Sequence, residues 1–319
     1  MKPTILLVFG GDSECERTVL APLDPEFIQM PDCDHPDATA ALARADALIV
    51  ALQRVDGALL DRAPKCKIVS RLGVGFDTID IPAATQRGVQ VTYVPDYGVD
   101  EVSAQAIALI MACMRGVVQQ ANDTRAGKWN GISVAPVKRL RDSTCGVVGF
   151  GRIGREAGLK ARGLGFRVLV YDPLVDPANI RATGCEPVSF EQLLAESDYV
   201  TLHTPLSEGT RHLINAKTLR LMKPTAYLVN TARGGLVDEA ALIEALDAGV
   251  LKGAGIDVLQ KEPPPPDHPF LHHPKIIVTP HFSFYSEEAV RELHTRGAEE
   301  VLRKLTGQPP RCPLNKVGA

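Results

Sequence analysis

The chain has 319 residues, of which 45% are hydrophobic and 23% charged, and its formal net charge is −3. This length suits two domains that each bury a core, and the near-neutral charge argues against a nucleic-acid or anionic-membrane partner. The apolar runs 5–9 and 106–113 are too short to cross a bilayer, and seven cysteines without a CxxC pair predict reduced thiols in a cytoplasmic protein without a metal site.

The first third of the chain alternates apolar segments with helical ones, which predicts a small parallel α/β unit. We expect strands at 3–9, 47–51, 67–70 and 89–93, with helices at 38–45 and 59–63. The third of these strands is followed by a loop in which Gly73 and Gly75 stand one residue apart. Backbone N–H groups can converge on an anion in such a loop, but a plain turn fits the spacing equally well.

A strongly apolar helix begins near Val102 and runs through Cys113. Because it is apolar on nearly all sides, we expect it to be buried between two domains, with the chain passing from one domain to the other near 99–103. The segment 126–141 then contains Trp129, the only tryptophan. It is predicted to be an extended excursion, and its apolar side chains fit either a subunit contact or local packing.

A glycine motif follows the next apolar run. Gly149, Gly151 and Gly154 form the pattern GxGxxG at the start of a helix, and the strand after that helix ends in Asp172. This order is typical of dinucleotide binding: the glycines give a tight turn, room for a pyrophosphate and close helix packing. The helix N-terminus favours the phosphates, and Asp172 can accept hydrogen bonds from a ribose diol. The motif predicts NAD binding, and the carboxylate disfavours the 2′-phosphate of NADP.

Alternating helices and strands continue to the end of this region. Further strands are expected at 199–202, 226–230, 253–256 and 276–279, and a last helix at 286–305 carries the chain back, we expect, to the first domain. Polar residues follow these strands repeatedly, at the edge where parallel sheets bind ligands. The sequence therefore predicts an α/β fold whose ligand site lies at the carboxyl ends of the strands.

Three charged residues near strand ends suit hydride transfer to a 2-oxo acid. Arg233 can hold a carboxylate bidentately, His281 can supply a proton near neutrality, and Glu262 can keep that imidazole protonated and oriented. Each residue also has an ordinary interpretation. Arg233 fits a helix cap or a surface ion pair, His281 a hydrogen-bonded core histidine, and Glu262 a solvated surface carboxylate.

The whole chain resembles the D-isomer-specific 2-hydroxyacid dehydrogenases. Six motifs stand in the family's order: LGVGFDTID (72–80), GVVGFGRIG (146–154), HTPLSEGTRHLIN (203–215), LVNTARGGLVDE (228–239), GIDVLQKEP (255–263) and TPH (279–281). Within the family, the segment 281–287 and the ending 312–316 are most similar to the C-terminal-binding-protein-like branch. Phe284 replaces that branch's tryptophan, so the branch's substrate preference is not carried over to this chain. Val102 stands where the branch has threonine, which removes one hydroxyl near the nicotinamide end.

This resemblance implies two Rossmann-like doubly wound domains, with a cleft that closes on ligand. The NAD-binding domain, 103–285, is inserted into a discontinuous substrate-binding domain, 1–102 and 286–319. A homodimer through the cofactor domains is also implied.

The resemblance further assigns roles to individual residues. Arg233 would bind the substrate carboxylate, His281 would act as general acid and base, and Glu262 would be its partner. Asp257 would lie beside the nicotinamide carboxamide. The cofactor would also contact Gly149, Gly151, Arg152, Ile153, Gly154, Asp172, His203, Thr204, Pro205, Thr231 and Ala232. The substrate would also contact Arg71, Val74, Gly75 and Phe284.

We therefore predict an NAD-dependent enzyme that interconverts a small 2-oxo acid and its D-2-hydroxy acid. A phosphoglycerate-type dehydrogenase is an alternative, and so is an NAD(H)-sensing scaffold like the corepressors of the C-terminal-binding-protein branch. The complete set of Arg233, Glu262 and His281 favours an enzyme, because a sensor needs no proton donor. Aromatic residues near the expected pocket favour apolar substituents over phosphorylated ones.

Overall fold

The computed structural model describes residues 2–317, which divide into two compact units. The first comprises 2–98 together with 286–317, and the second is Val99–Tyr285. The predicted domain limits, 1–102 with 286–319 and 103–285, stay a proposal about which segments act together.

The elements alternate along the chain, as expected for an α/β fold. The strands are β1 (Thr4–Val8), β2 (Glu26–Met30), β3 (Ala47–Val50), β4 (Ile68–Arg71), β5 (Gln90–Tyr93), β6 (Thr144–Val148), β7 (Arg167–Tyr171), β8 (Glu186–Pro187), β9 (Tyr199–Leu202), β10 (Tyr227–Asn230), β11 (Gly253–Ile256) and β12 (Ile276–Val278). The helices are α1 (Glu14–Leu20), α2 (Ala38–Leu42), α3 (Gly57–Asp61), α4 (Ile81–Gln86), α5 (Val99–Arg115), α6 (Val117–Arg125), α7 (Arg152–Leu164), α8 (Pro177–Ala182), α9 (Phe190–Glu196), α10 (Ala216–Leu219), α11 (Glu239–Asp247), α12 (Pro269–His272) and α13 (Glu287–Leu305).

The first unit is built on a five-stranded parallel sheet in the order β2-β1-β3-β4-β5. Alternate side chains of β1 enter two cores: Leu6 and Val8 pack on one face of the sheet, and Ile5 and Leu7 pack on the other. A sheet buried on both faces needs apolar residues in continuous runs, which is the pattern that predicted these strands. Strand β2 was not predicted. It lies at the sheet edge, is half-exposed and carries polar side chains within its five residues.

The segment 312–315 covers the other edge of this sheet. Leu314 N–H donates to the Val91 carbonyl at 2.9 Å, and the side chain of Asn315 binds β5 and its approach. Asn315 Oδ1 accepts from Val91 N at 2.8 Å, while its Nδ2 donates to the Val89 carbonyl at 2.9 Å and to Thr85 Oγ1 at 3.0 Å. One amide side chain thus satisfies backbone groups that an uncovered edge strand would leave to water.

Asn315→Ala is expected to destabilise the first unit by about 1–3 kcal/mol, because it leaves the part-buried Val91 N–H of β5 and the Val89 carbonyl before it without this partner. Urea unfolding measures the change as a lower midpoint of the transition that this unit undergoes. Lys316→Ala, one residue further at an exposed position, is the control and should leave that midpoint unchanged. Equal midpoints for both variants would show that the amide does not hold the edge.

The second unit is built on a seven-stranded parallel sheet in the order β12-β11-β10-β9-β6-β7-β8. The chain starts at β6, moves outward through β7 and β8, and then returns to place β9 on the other side of β6. This reversal is the doubly wound arrangement, in which ligands bind beside the carboxyl ends of the two central strands. Both predicted sheets, and the α/β class, are therefore confirmed.

Helix α5 was expected to be buried on nearly all sides, but only one of its faces is. Ala106, Leu109, Ile110 and Cys113 are buried, while the helix packs within this unit against α7, β10 and β11. No single helix among residues 2–317 is long and apolar enough to cross a membrane. Helices α5 and α6 reach the length and hydropathy of a membrane span only when taken together, and they are bent by 58° to each other.

Candidate active site

Each glycine of the GxGxxG loop meets a different constraint. Gly149 has a φ of +89°, and a Cβ there would lie 2.8 Å from the backbone of His203 and Thr204. A Cβ on Gly154 would lie 2.0 Å from the Gly149 carbonyl oxygen, so a side chain would push α7 away from the turn. Gly151 has open space instead, with no atom within 4 Å of an added Cβ. It caps α7, and an anion can approach the helix N-terminus there.

Asp172 is fixed beside this loop at the end of β7. Its Oδ2 accepts from Phe150 N at 2.6 Å, and its Oδ1 accepts from Leu174 N at 2.8 Å. An ionised carboxylate has about four acceptor positions, so two more hydrogen bonds remain possible. A ribose diol can supply both.

His203 follows β9, next to the glycine turn. Its N–H donates to the Val148 carbonyl at 2.7 Å, and its Nε2 lies 3.0 Å from Thr201 Oγ1. Burial lowers the pKa of His203 to about 4, so the ring is neutral at pH 7 and is not a proton donor for catalysis. The predicted neighbours Thr204 and Pro205 continue this loop.

The residues in this loop region fit a dinucleotide. His203 Nδ1 and Thr231 Oγ1 are buried polar atoms without a hydrogen-bond partner among the described residues. A buried polar group without a partner costs free energy, and both belong to residues that the family resemblance assigned to the cofactor. Together with the open space at Gly151 and the acceptor positions of Asp172, they suit the polar groups of NAD.

Asn230 shapes the turn that carries Arg233. This amide ends β10 and is only 1% exposed; its Oδ1 accepts from Ala232 N at 3.0 Å, and its Nδ2 donates to the Arg233 carbonyl at 2.9 Å. Arg233 Nη1 donates to the Ala232 carbonyl at 2.8 Å. Asn230 was not predicted as a site residue, although a polar residue at the end of a buried strand can indicate a place at the ligand-binding edge of the sheet.

The chain after β11 passes very close to this turn. A Cβ on Gly234 would lie 2.0 Å from the carbonyl carbon of Leu259, so only glycine allows the two segments to meet. Leu259 N in turn donates to Glu262 Oε1 at 2.7 Å. This approach places the carboxylate near Arg233, whose positive charge acts on the pKa of Glu262.

Glu262 and His281 form a direct pair, in which Glu262 Oε2 lies 2.5 Å from His281 Nδ1. Burial raises the pKa of Glu262. The hydrogen bond and charge of His281, with smaller contributions from the Leu259 amide and Arg233, outweigh burial and hold the pKa below its usual value. Glu262 is therefore ionised at neutral pH. Because Nδ1 faces the carboxylate, Nε2 is the nitrogen that His281 can present to another molecule.

Asp257 and Phe284 also lie close to His281. Asp257 is only 1% exposed, and both of its carboxylate oxygens accept hydrogen bonds from the segment 279–283. The ring of Phe284 stands edge-on to the His281 ring, with centroids 6.3 Å apart. One wall beside the imidazole is thus aromatic.

The remaining predicted substrate residues belong to the first unit. Arg71 ends β4, and Val74 and Gly75 follow in its loop. Arg71 Nη1 donates to the Leu72 carbonyl at 2.7 Å, and Gly73 N–H donates to the Arg71 carbonyl at 3.1 Å. The loop is therefore organised by hydrogen bonds within itself, and its role toward substrate stays a prediction.

Comparison with known proteins places this geometry among oxidoreductases. A family model described as D-isomer specific 2-hydroxyacid dehydrogenase, NAD binding domain, matches residues 107–283. The chain is 40% identical over 276 residues to a glyoxylate reductase of Korarchaeum cryptofilum, which covers 85% of this chain and 83% of that protein. It is 39% identical over 271 residues to a D-3-phosphoglycerate dehydrogenase of Archaeoglobus fulgidus, covering 85% of this chain and 51% of that relative. The chain thus spans about half the length of this phosphoglycerate dehydrogenase.

A solved structure agrees over nearly the whole length. The D-lactate dehydrogenase of Aquifex aeolicus, complexed with NAD and lactic acid, superposes with a TM-score of 0.88 at 26% identity, covering 95% of this chain and 96% of that one.

Proposed function

Since the chain belongs to the D-isomer specific 2-hydroxyacid dehydrogenases and is an NAD-dependent oxidoreductase acting on CH–OH groups, we propose that it interconverts a small, unphosphorylated 2-oxo acid and its D-2-hydroxy acid. The observation that carries this proposal is the grouping of Arg233, Glu262 and His281. A hydrogen-bonded carboxylate–imidazole pair lies beside a guanidinium, at the strand ends where such sheets bind ligands.

Each of the three side chains has a separate role in the reaction. When bound, NADH supplies the hydride that reduces the 2-oxo carbon, and NAD accepts a hydride in the reverse direction. Arg233 holds the substrate carboxylate through a planar pair of N–H donors. His281 Nε2 donates a proton to the carbonyl oxygen during reduction and takes it back during oxidation. Glu262 accepts the hydrogen bond from Nδ1 and stabilises the imidazolium before the proton leaves.

The aromatic wall supports a substrate without a phosphate. Phe284 packs edge-on to His281, and Phe282 stacks on Tyr285 with centroids 5.4 Å apart. Such rings favour small or apolar substituents, since a dianionic phosphate needs cationic or N–H donors around it. The glyoxylate reductase match, which covers most of both proteins, supports the same choice. The D-3-phosphoglycerate dehydrogenase match keeps a phosphorylated substrate as the alternative.

A panel of 2-oxo acids tests the substrate class. NADH oxidation is followed by absorbance with glyoxylate, pyruvate, hydroxypyruvate, a branched and an aromatic oxo acid, and phosphohydroxypyruvate. We expect the highest kcat/KM with one of the unphosphorylated acids. A preference for phosphohydroxypyruvate would instead establish the phosphoglycerate-type alternative. Tight NADH binding without turnover on any acid would support the sensing scaffold of the C-terminal-binding-protein-like branch.

Asp172→Ser is expected to weaken NADH binding by about tenfold, because it removes the charged carboxylate that accepts hydrogen bonds from the ribose diol. NADPH binding should improve relative to NADH, since the carboxylate no longer repels a 2′-phosphate. Fluorescence titration with both cofactors measures the two Kd values. Asp176→Ser, which removes a carboxylate four residues further along but keeps an N-cap side chain for α8, is the control and should not change their ratio. A wild-type protein that binds NADPH as tightly as NADH would contradict this role.

We also propose a homodimer formed by the second unit. Helix α6 buries none of its side chains, and the following segment exposes Trp129 to 93% and Ile132 to 76%. We call the segment 126–141 the arm, and its end is held by its own unit. Lys138 Nζ lies 2.8 Å from the carboxylate of Asp198, and Lys252 Nζ donates to the Pro136 carbonyl at 2.9 Å. An arm whose end is fixed by these contacts, and whose large apolar side chains are exposed, is suited to packing on a second copy of the chain.

Trp129→Asp is expected to shift the protein from dimer to monomer, because a charge replaces the largest exposed apolar side chain of the arm. Light scattering after size exclusion measures the mass directly. Leu174→Asp is the matched control, since Leu174 is 94% exposed in the same unit outside the arm. A monomeric wild type, or a Trp129→Asp variant that stays dimeric, would refute the proposed interface.

A further inference from the structure

The backbone of His281 adopts an uncommon conformation. Its φ is +51°, in the left-handed region that residues with a Cβ rarely adopt. His281 N donates to the Asp257 carbonyl at 2.8 Å and to the Thr279 carbonyl at 3.0 Å. Surrounding contacts must hold such a residue in place, and the segment 279–283 supplies them.

The side chain of Asp257 binds this segment on both sides of His281. Its Oδ1 accepts from the Thr279 hydroxyl and, at 3.0 Å, from Phe282 N. Its Oδ2 accepts from Ser283 N at 3.0 Å and from the Ser283 hydroxyl. The four acceptor positions of one buried carboxylate are therefore filled by the turn that carries the proton donor.

The imidazole is thus fixed from two directions. Glu262 holds the ring at Nδ1, whereas Asp257 holds the backbone through donors before and after His281. Ring and backbone together determine where Nε2 points. If the backbone rotates, the ring must either leave Glu262 or carry Nε2 away from the substrate, because the side chain has only two rotatable bonds.

We propose that Thr279 and Ser283 are positioning residues for the proton donor: through Asp257, their hydroxyls hold His281 in the left-handed turn from which Nε2 reaches the substrate. This inference rests on the proposed function and adds two residues to it. It also gives Asp257 a task besides the predicted contact with the nicotinamide carboxamide. A carboxamide donor at Asp257 would have to share or displace one of these hydroxyls, so the two tasks are distinguishable by experiment.

The test uses Thr279→Val and Ser283→Ala in the full-length protein with its best oxo acid. Each variant removes one hydroxyl and keeps the shape of the backbone and most of the side chain. We expect kcat at saturating NADH and substrate to fall about tenfold in each, the loss of one hydrogen bond to a charged group. The Kd of NADH should stay within about threefold, so the loss appears in kcat and not in cofactor binding. Thr279→Ser and Ser283→Thr should recover most of the activity.

Ser143→Ala is the matched control. Ser143 is 1% exposed in the same unit and donates its hydroxyl to the Arg139 carbonyl at 2.9 Å, far along the chain from the catalytic turn. It should lower thermal stability without changing kcat. If Thr279→Val and Ser283→Ala keep wild-type kcat, or raise the Kd of NADH tenfold with kcat unchanged, the positioning role is wrong. A wild type without turnover on any oxo acid would refute the proposed function instead.

Discussion

His281→Asn is expected to lower kcat by about 10²–10⁴-fold, the usual contribution of a general acid, while leaving the Kd of NADH nearly unchanged. Asparagine has a similar size and can still donate a hydrogen bond to Glu262, but it cannot transfer a proton near neutral pH. The structure favours a large effect because Glu262 lies 2.5 Å from Nδ1, which leaves Nε2 for the substrate. His203, the other imidazole that the family resemblance assigns to the site, is kept neutral by burial.

Steady-state kinetics and a fluorescence titration with NADH measure the two quantities separately. His268→Asn is the matched control, because His268 lies in the same unit and also contacts a carboxylate, with Nε2 3.3 Å from Glu239 Oε2. It should retain nearly full activity. If His281→Asn kept more than a tenth of the wild-type kcat, another group would have to supply the proton.

His294→Ala is expected to destabilise the first unit by about 3–5 kcal/mol, the usual cost of removing one partner from a buried polar pair. His294 on α13 contacts Glu16 on α1 through its Nδ1, and Glu16 is fully buried while His294 is 6% exposed. The ring of Phe9 lies 5.0 Å from the imidazole, so little water can replace it. Glu16 Oε2 already has no hydrogen-bond partner among the described residues. Without His294, the whole carboxyl group is left unsatisfied.

Urea unfolding measures this effect as a lower midpoint for the first unit's transition. The double variant Glu16→Leu/His294→Leu should recover much of the loss, because apolar side chains of similar volume often replace buried polar pairs at little cost. His35→Ala removes an exposed histidine 3.8 Å from the carboxylate of Asp37 and should change nothing. A single His294→Ala variant within 1 kcal/mol of wild type would mean that water or a rearrangement satisfies Glu16.

The sequence predicted those features that depend on neighbouring residues. Continuous apolar runs identified the buried strands, and the spacing of Gly149, Gly151 and Gly154 identified the turn before α7. Both follow from local backbone requirements, which a short stretch of sequence contains. Family resemblance then related Arg233, Glu262 and His281, which are far apart in sequence.

Other features depend on contacts between distant segments and were not predicted. The pair of Glu16 and His294 joins residues 278 positions apart, and Asn315 reaches β5 across more than 220 positions. Thr279 and Ser283 appear as ordinary loop residues until the carboxylate of Asp257 is placed between them. Strand β2 was missed because an edge strand needs no continuous apolar run. Periodicity does not encode such contacts, since they arise only when the sheets are assembled.

Oxidation of paired D- and L-2-hydroxy acids with NAD, followed by the absorbance of NADH, tests the proposed reaction and its stereochemistry together. We predict NADH formation with the D enantiomer of a small acid such as lactate or glycerate, little or none with the L enantiomer, and loss of the signal in His281→Asn. Equal rates with both enantiomers, or a rate that does not depend on His281, would show that the protein is not a D-specific dehydrogenase that uses His281.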